Sequence, residues 1–283
     1  MKQPTESLSQ KNMSKNVLHK MNSIAPKVQQ LDFIIKEIGA RMMDRLDYIK
    51  VNPEHVLDIG SGLGIDRQGL HKRYPKAGIY GVDIALNILK NYAPKKSFVW
   101  LGKSHKNLIC ADALSLPIAS QSMDLVWSNL TLPYIMDVRQ YFTEINRVLK
   151  LGATFLVSGL GVDSLEQLRE LGLATYNFPD MHLIGDTLVE LGFSNPVTDL
   201  EYITLEYNTL DELLSDIRII GCGSVLWHRL SRADYESLQL NFDRISGNGK
   251  FPLTLEVFYA HAWKDKIRKD LVSGRSVIQF HTR

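Results

Sequence analysis

Residues 56–64, VLDIGSGLG, constrain the fold of this chain more than any other segment, because they join an apolar strand, an acid and a glycine-rich turn. A second apolar run, at residues 79–83, ends in Asp83. A strand that breaks into glycines ahead of a helix exposes backbone amides to a ligand, and an acid roughly 20 residues later can accept the hydroxyls of a ribose. The two segments together predict an α/β domain that binds a nucleoside.

The spacing of the glycines favours one nucleoside cofactor over another. Gly60, Gly62 and Gly64 form GxGxG, and Ile65 stands where a dinucleotide-binding GxGxxG motif has its third glycine. Asp58 at the strand tip would repel a pyrophosphate, whereas S-adenosylmethionine carries an ammonium, a sulfonium and no phosphate. The residues therefore indicate S-adenosylmethionine, with an ordinary strand-to-helix turn as the alternative interpretation of the glycines.

Two further strands are predicted to end in polar residues. The run at 107–112 ends in Asp112, and the run at 123–130 contains Ser128 and Asn129 near its end. Ligands collect at the carboxyl ends of parallel strands in an open α/β sheet. Asp112 could accept from an adenine amino group, or it could simply cap the turn that follows it.

The order of the predicted elements indicates a doubly wound α/β sheet. An amphipathic helix at 30–49 precedes alternating strands and helices up to residue 158, and the later part adds helical patterns and two strand-like runs. We expect five parallel strands closed by a late pair with one antiparallel strand, and helical insertions. The predicted organisation is a disordered or loosely docked tail at 1–20, one domain at 21–265 with substrate-side helices at about 160–250, and a C-terminal tail at 266–283.

Composition and charge argue against several other classes of protein. The net charge is +2, from 33 basic and 31 acidic residues without a basic block, so no nucleic-acid partner is expected. No apolar run approaches the length of a membrane span, and the first 20 residues are polar, so a cytoplasmic protein without a membrane partner is predicted. Cys110 and Cys222 are far apart and lack metal-ligand spacing, so neither a metal nor a disulfide is expected. The oligomeric state is not predicted.

Four motifs carry a resemblance to a known family. In order along the chain, VLDIGSGLG, GVDIA, CADALSLP and DLVWSNLTL resemble those of class I S-adenosylmethionine-dependent methyltransferases, over about residues 53–160. Later segments resemble more narrowly the malonyl-[acyl-carrier protein] O-methyltransferases of biotin synthesis, the BioC type. These segments are GVDSLEQLRE, DMHLIGDTLVELGFSNPV, TLDELLSDIRIIG and GKFPLTLEVFYAHAWK.

The resemblance implies a Rossmann-like fold, S-adenosylmethionine as cofactor, and methyl transfer to the free carboxylate of a malonyl thioester on an acyl carrier protein. It places the glycine loop against the methionine part of the cofactor, Asp83 on the ribose, and Asn129 by the methionine part or the reaction site. The full cofactor set that it implies is Asp58, Gly60, Ser61, Gly62, Gly64, Asp83, Ile84, Asp112, Ala113 and Asn129.

The residues assigned to the substrate side depart further from the family pattern. Asn129, Tyr134 and Arg169 are the catalytic candidates, with Tyr134 standing where the family has a tryptophan. The candidates for substrate or carrier docking are Arg218, Arg229 and Arg232, although solvated surface arginines are the ordinary alternative. Because of these departures, two other hypotheses remain: another enzyme of this fold, such as an arginine hydroxylase related to the complex I assembly proteins, and a non-catalytic assembly module.

Overall fold

A seven-stranded sheet organises the computed structural model, which describes residues 32–91, 107–173, 178–220 and 230–265. The strands are β1 (His55–Ile59), β2 (Gly78–Asp83), β3 (Leu108–Cys110), β4 (Met123–Ser128), β5 (Leu149–Leu160), β6 (Ser194–Tyr207) and β7 (Phe251–Trp263). The helices are α1 (Asp32–Arg45), α2 (Ile65–Arg73), α3 (Leu86–Asn91), α4 (Val138–Val148), α5 (Glu166–Leu171), α6 (Met181–Glu190), α7 (Leu210–Ile220) and α8 (Arg232–Ile245).

The sheet order is β3-β2-β1-β4-β5-β7-β6, and the first five strands of the chain run parallel. The interior strand β1 carries Val56, Leu57 and Ile59, none of which is exposed to solvent. Such continuous apolar strands are typical of a parallel sheet that is covered on both faces. Chain order reverses between β1 and β4, and this switch point is where ligands bind in open α/β sheets.

The last two strands of the chain close the sheet as an antiparallel pair. Strand β7 lies between β5 and β6 and is antiparallel to both. Side chains along β6 alternate between partly buried and exposed over most of its length, as expected for an edge strand with one face packed. The prediction of five parallel strands closed by a late pair is confirmed.

Helices cover both faces of this sheet. One core joins α1, α5, α7 and α8 to the sheet, and the other packs α4 and α6 against the opposite face. Helix α1 buries Ile34, Ile38 and Met42 and ends at Arg45, earlier than the predicted residue 49, although the turn after it still buries Leu46 and Ile49.

Arg45 fastens the C-terminal end of α1 to the late strands. Its guanidinium lies 3.6 Å from the centroid of the Tyr259 ring and donates to Asp199 at 2.6 Å. Helix α1 is thereby connected to both β6 and β7, and its opposite end is left to form a wall beside the switch point.

Helix α5 begins later than the sequence pattern predicts. The predicted helix spans 163–171, but Leu165 adopts a left-handed φ of 64°, so the helix starts at Glu166. The predicted tails at 1–20 and 266–283 lie outside the described residues.

Neither a membrane span nor a metal cluster occurs in the part of the chain that the structure describes. No helix in those ranges is both long and apolar enough to cross a bilayer. No group of three or more histidine, cysteine, aspartate or glutamate side chains is arranged there to hold a metal ion.

A candidate nucleoside-binding cleft

A cleft of about 350 Å³ opens at the carboxyl ends of β1, β2, β3 and β4, with α1 as one wall. Most residues predicted from the sequence to bind a cofactor lie there together, because parallel strands bring their carboxyl ends to one edge of the sheet. The predicted residues that line the cleft are Asp58, Gly60, Ser61, Gly62, Asp83, Ile84, Asp112, Ala113, Asn129 and Tyr134.

The glycine loop is fastened to the neighbouring strand by its backbone. The amides of Gly60 and Ser61 both donate to the carbonyl of Val82, at 2.8 and 3.0 Å. Gly60 has a φ of 71°, and a Cβ at this position would collide with Thr131 Oγ1. Gly64 does not line the cleft but occupies the N-cap of α2 with a φ of 68°. The loop therefore needs glycine for its backbone conformation and for its close approach to Thr131.

We expect Gly60→Ala to destabilise the fold by about 2 kcal/mol or more, because it adds a steric clash to the strain of a left-handed backbone. Gly152→Ala is the matched control, since Gly152 has a φ of 80° but open space where a Cβ would point. The control should be destabilised only by the backbone strain, by about 1 kcal/mol. Chemical denaturation of both variants measures the difference, and equal losses would show that the contact with Thr131 has no effect on stability.

Asp83 connects the glycine loop to the start of α3. Its Oδ2 accepts from the amide of Gly62 at 3.0 Å, and its Oδ1 accepts from the amide of Ala85 at 2.8 Å. Burial raises the pKa of Asp83, while these two hydrogen bonds act to lower it. Each carboxylate oxygen keeps further acceptor capacity, which is what two vicinal ribose hydroxyls require.

Asp112 takes part both in a turn and in the cleft. Its Oδ1 accepts from the amide of Leu114 at 2.9 Å, which is the capping role considered as an alternative. The same residue lines the cleft beside Ala113, with Ile84 and Ile88 nearby in the lining. This end of the cleft is therefore mostly apolar with one carboxylate, a combination suited to a purine ring that carries an amino group.

Two buried polar groups lie at the β1 end of the cleft. Asp58 is 3% exposed, and no hydrogen bond among the described residues reaches its carboxylate. Burial, and then repulsion from Asp66, raises the pKa of Asp58 well above its ordinary value, although Arg67 opposes the shift. Ser61 Oγ is buried without a partner among the described atoms. An unmatched carboxylate and hydroxyl fit the ammonium and carboxylate of an amino acid, so these residues suit the methionine part of S-adenosylmethionine.

The side chain of Asn129 is engaged with the protein itself. Its Nδ2 donates to the carbonyl of Ile35 and to Asp66 Oδ2, each at 2.9 Å, and its Oδ1 accepts from Ser158 Oγ at 2.9 Å. Both amide protons are therefore used, and the residue ties α1 to the end of β4. The geometry favours positioning by Asn129, and its predicted catalytic role stays a prediction.

Asp66 and Thr131 also line the cleft, although neither is among the residues predicted from the sequence. Asp66 lies in the first turn of α2, where an acid ordinarily stabilises the helix dipole. Its Oδ2 also accepts from Trp127 Nε1 at 3.0 Å. Thr131 Oγ1 donates to the carbonyl of Ile59 at 2.9 Å. Only the pairing of β1 with β4 brings these residues together, and no local pattern indicates it.

The arginines predicted for the substrate side lie elsewhere. Arg169 is exposed on α5, and Arg232 is exposed on α8, where it pairs with Glu236. The side chain of Arg218 and the whole of Arg229 fall outside the described residues. The roles of these four arginines stay predictions. Tyr134, in contrast, lines the cleft and lies partly buried at the end of a short 3-10 helix.

The charged side chains among the described lining residues are all acidic. The apolar lining on the side of α1, β5 and β7 consists of Ile34, Ile35, Leu160 and Leu255. The carboxylates of the lining are Asp58, Asp66, Asp83, Asp112 and Asp137. The cleft thus combines an acidic side with an apolar wall.

Comparison with known proteins connects this cleft to methyl transfer. Residues 57–157 match the model of a methyltransferase domain. A malonyl-[acyl-carrier protein] O-methyltransferase of Gallionella capsiferriformans is 38% identical over 81% of this chain and 83% of its own length. The protein of the same name from Methylovorus sp. is 37% identical, over 88% of each chain.

Solved structures show the same fold at lower sequence identity. The YcgJ protein from Bacillus subtilis has a TM-score of 0.58 and 16% identity, covering 81% of this chain and 99% of its own. A phosphoethanolamine N-methyltransferase of Haemonchus contortus, solved in complex with S-adenosyl-L-methionine, has a TM-score of 0.51 and 19% identity, covering 87% of this chain and 60% of its own.

Proposed function

This chain belongs to the malonyl-[acyl-carrier protein] O-methyltransferases, a family of class I S-adenosylmethionine-dependent methyltransferases, and we propose from this that it methylates the free carboxylate of a malonyl thioester held on an acyl carrier protein. The observation that carries the proposal is similarity along most of the chain to enzymes of that name. The similarity extends through the later segments, which supports a shared acceptor as well as a shared cofactor.

The cofactor is S-adenosylmethionine. In the proposed arrangement Asp83 holds the ribose, Asp112 lies at the amino edge of the adenine, and Asp58 with Ser61 receives the amino acid end. When bound, this cofactor supplies an electrophilic methyl group on a cationic sulfur. The glycine loop permits its close approach because the loop has no side chain at Gly60 or Gly62.

The acceptor carboxylate needs no general base from the protein. A carboxyl group with a pKa of about 4 is already ionised at neutral pH, so no proton has to be removed before it attacks. The chain has instead to position the carboxylate and exclude water from it. We assign the exclusion of water to the apolar wall formed by Ile34, Ile35, Leu160 and Leu255.

Tyr134 is the proposed hydroxyl donor to the acceptor, since it lines the cleft beyond the end of β4. Asn129 is proposed to act by holding α1 in place, because both of its amide protons are donated within the protein. Arg169 and Arg232 are exposed side chains on α5 and α8, and we assign them to contact with an acidic carrier surface. Arg218 and Arg229 are proposed for the same docking role from the sequence alone.

Incubation of the pure protein with methyl-labelled S-adenosylmethionine and malonyl-[acyl-carrier protein] tests the proposal. We expect a labelled, base-labile methyl ester on the malonyl group, and no ester on a carrier that bears an acetyl group, which lacks the free carboxylate. Binding of the cofactor without any labelled ester would refute the proposal. Mass spectrometry of the reacted partner separates a gained methylene from the gained oxygen expected of a hydroxylase.

A further inference from the structure

Asp66 is a carboxylate held by hydrogen bonds at the edge of the cleft. Trp127 Nε1 and Asn129 Nδ2 both donate to one of its oxygens, Oδ2. The other oxygen, Oδ1, packs so closely against α1 that a Cβ on Gly39 would collide with it. The side chain is therefore fixed in place between α1, α2 and β4.

The hydrogen bonds of Asp66 do not require its charge. Both of these partners donate to a single oxygen, and the amide oxygen of asparagine can accept from the same two groups. A neutral residue of the same shape would keep both hydrogen bonds, although each is stronger to a charged oxygen. The negative charge is thus separable from these hydrogen bonds, and besides its ordinary place in the first turn of α2 it acts on the cleft that Asp66 lines.

Asp66 contributes that charge to a cleft that is already negative. Its repulsion is one cause of the raised pKa of Asp58, so the two carboxylates are close enough to interact. Two independent features mark this end of the cleft as a ligand site: Ser61 Oγ, in a side chain that is 9% exposed, has no described partner, and no described donor reaches the buried Asp58. A second carboxylate, partly buried, beside such a site is unfavourable until a cation is bound there.

We propose that Asp66 is a charge-selective residue, which favours the cationic sulfonium form of the nucleoside ligand over the neutral thioether form that remains after methyl transfer. The inference rests on the proposed function for the identity of the ligand. Both forms carry the same adenosine and the same amino acid end, so Asp83 and Asp58 hold them equally. The two forms differ by one positive charge at sulfur, and a fixed, partly buried carboxylate interacts differently with them. Release of the product is favoured as a result, because the attraction to Asp66 disappears when the methyl group leaves.

Calorimetric binding of three ligands to the full chain and its variants tests this inference. The ligands are S-adenosylmethionine, the neutral thioether S-adenosylhomocysteine, and sinefungin, which carries an ammonium in place of the sulfonium. We expect Asp66→Asn to raise the dissociation constants of both cationic ligands by roughly fivefold or more, which is the effect of one charge at a distance of several ångströms in a partly solvated cleft. The dissociation constant of the thioether should change by less than about twofold.

Two other variants sharpen the result. Asp186→Asn removes the same charge from an exposed site on α6 outside the cleft lining and should change none of the three constants. Asp58→Asn should weaken all three ligands together, because the amino acid end is common to them. The inference would be overturned if Asp66→Asn lost affinity equally for all three ligands, or for none of them. No acceptor enters these measurements, so their outcome is independent of whether malonyl-[acyl-carrier protein] is the substrate.

Discussion

Asp58→Asn is expected to make the ligand-free protein more stable and, at the same time, to weaken S-adenosylmethionine binding by tenfold or more. Asp58 is 3% exposed, and no described donor hydrogen-bonds its carboxylate, so its charge is desolvated and only partly offset, by Arg67. Removing such a charge should raise the free energy of unfolding by about 1 to 3 kcal/mol at neutral pH. The same change removes the proposed charge-assisted hydrogen bond to the ammonium of the ligand, and such a bond contributes about 1.5 to 3 kcal/mol.

The pH dependence of stability gives an independent check on Asp58. Its pKa in the folded protein is raised by burial, so the folded state holds the proton more firmly than the unfolded state does. The contribution of this side chain to stability is therefore complete below the unfolded pKa of about 4 and is lost as the pH rises through the folded pKa. Ligand affinity should change in the opposite direction and increase as Asp58 ionises.

Thermal unfolding of Asp58→Asn and the wild type across a pH series measures both effects. The midpoint temperature of unfolding should rise by about 2 to 4 °C for each kcal/mol by which the free energy of unfolding increases. The difference in stability between the variant and the wild type should become smaller towards acidic pH. Asp186→Asn, an exposed site with the same change of charge, should show neither effect. A less stable Asp58→Asn protein at neutral pH would mean that the carboxylate is compensated by a partner.

Asp83→Ala is expected to raise the dissociation constant of S-adenosylmethionine by tenfold or more. The substitution removes the proposed acceptor of both ribose hydroxyls and also releases the amides of Gly62 and Ala85. A hydrogen bond to a charged acceptor contributes about 1.5 to 3 kcal/mol, so the loss of one is sufficient for this effect. Calorimetry with the cofactor measures the constant directly.

Asp112→Ala is the matched control for Asp83→Ala. Asp112 also lies at the cleft, just after strand β3. Within the described ranges its carboxylate accepts a single backbone hydrogen bond, from Leu114. We expect a smaller loss of affinity there, confined to ligands with an adenine amino group. An unchanged constant in Asp83→Ala would contradict the assignment of the ribose to the end of β2.

The strand ends are predictable because they depend on local patterns. Asp58 and Asp83 lie at the ends of β1 and β2 and Asp112 lies two residues beyond β3, and the parallel pairing of these strands brings them to one edge of the sheet. The alternation of strands and helices predicts the parallel sheet, and the predicted late pair with one antiparallel strand is confirmed as well, whereas the strand order that creates the switch point is seen only in the structure. These are the parts of the fold in which local periodicity and tertiary structure agree.

Tertiary contacts decide the features that local patterns do not predict. Asn129 lies where it is expected, but its amide is used by Ile35 and Asp66, which are 94 and 63 residues away in sequence. Asp66 looks like an ordinary first-turn acid until Trp127 and Asn129 are placed against it. Leu165 delays the start of the predicted helix through a left-handed backbone that leucine rarely adopts.

The position of β7 inside the sheet has a consequence for how the chain acquires its structure. Strand β7 is the last strand of the described chain, yet it fills the slot between β5 and β6. Its pairing joins Thr154 to Trp263 and Leu160 to Val257, contacts of high sequence separation that are slow to form. During synthesis from the N-terminus, the hydrogen-bonding edge of β5 therefore stays open until almost the whole domain has emerged. An aggregation-prone intermediate with an unpaired β5 edge is expected in that interval, and a chaperone that covers exposed strands would improve the yield of folded protein.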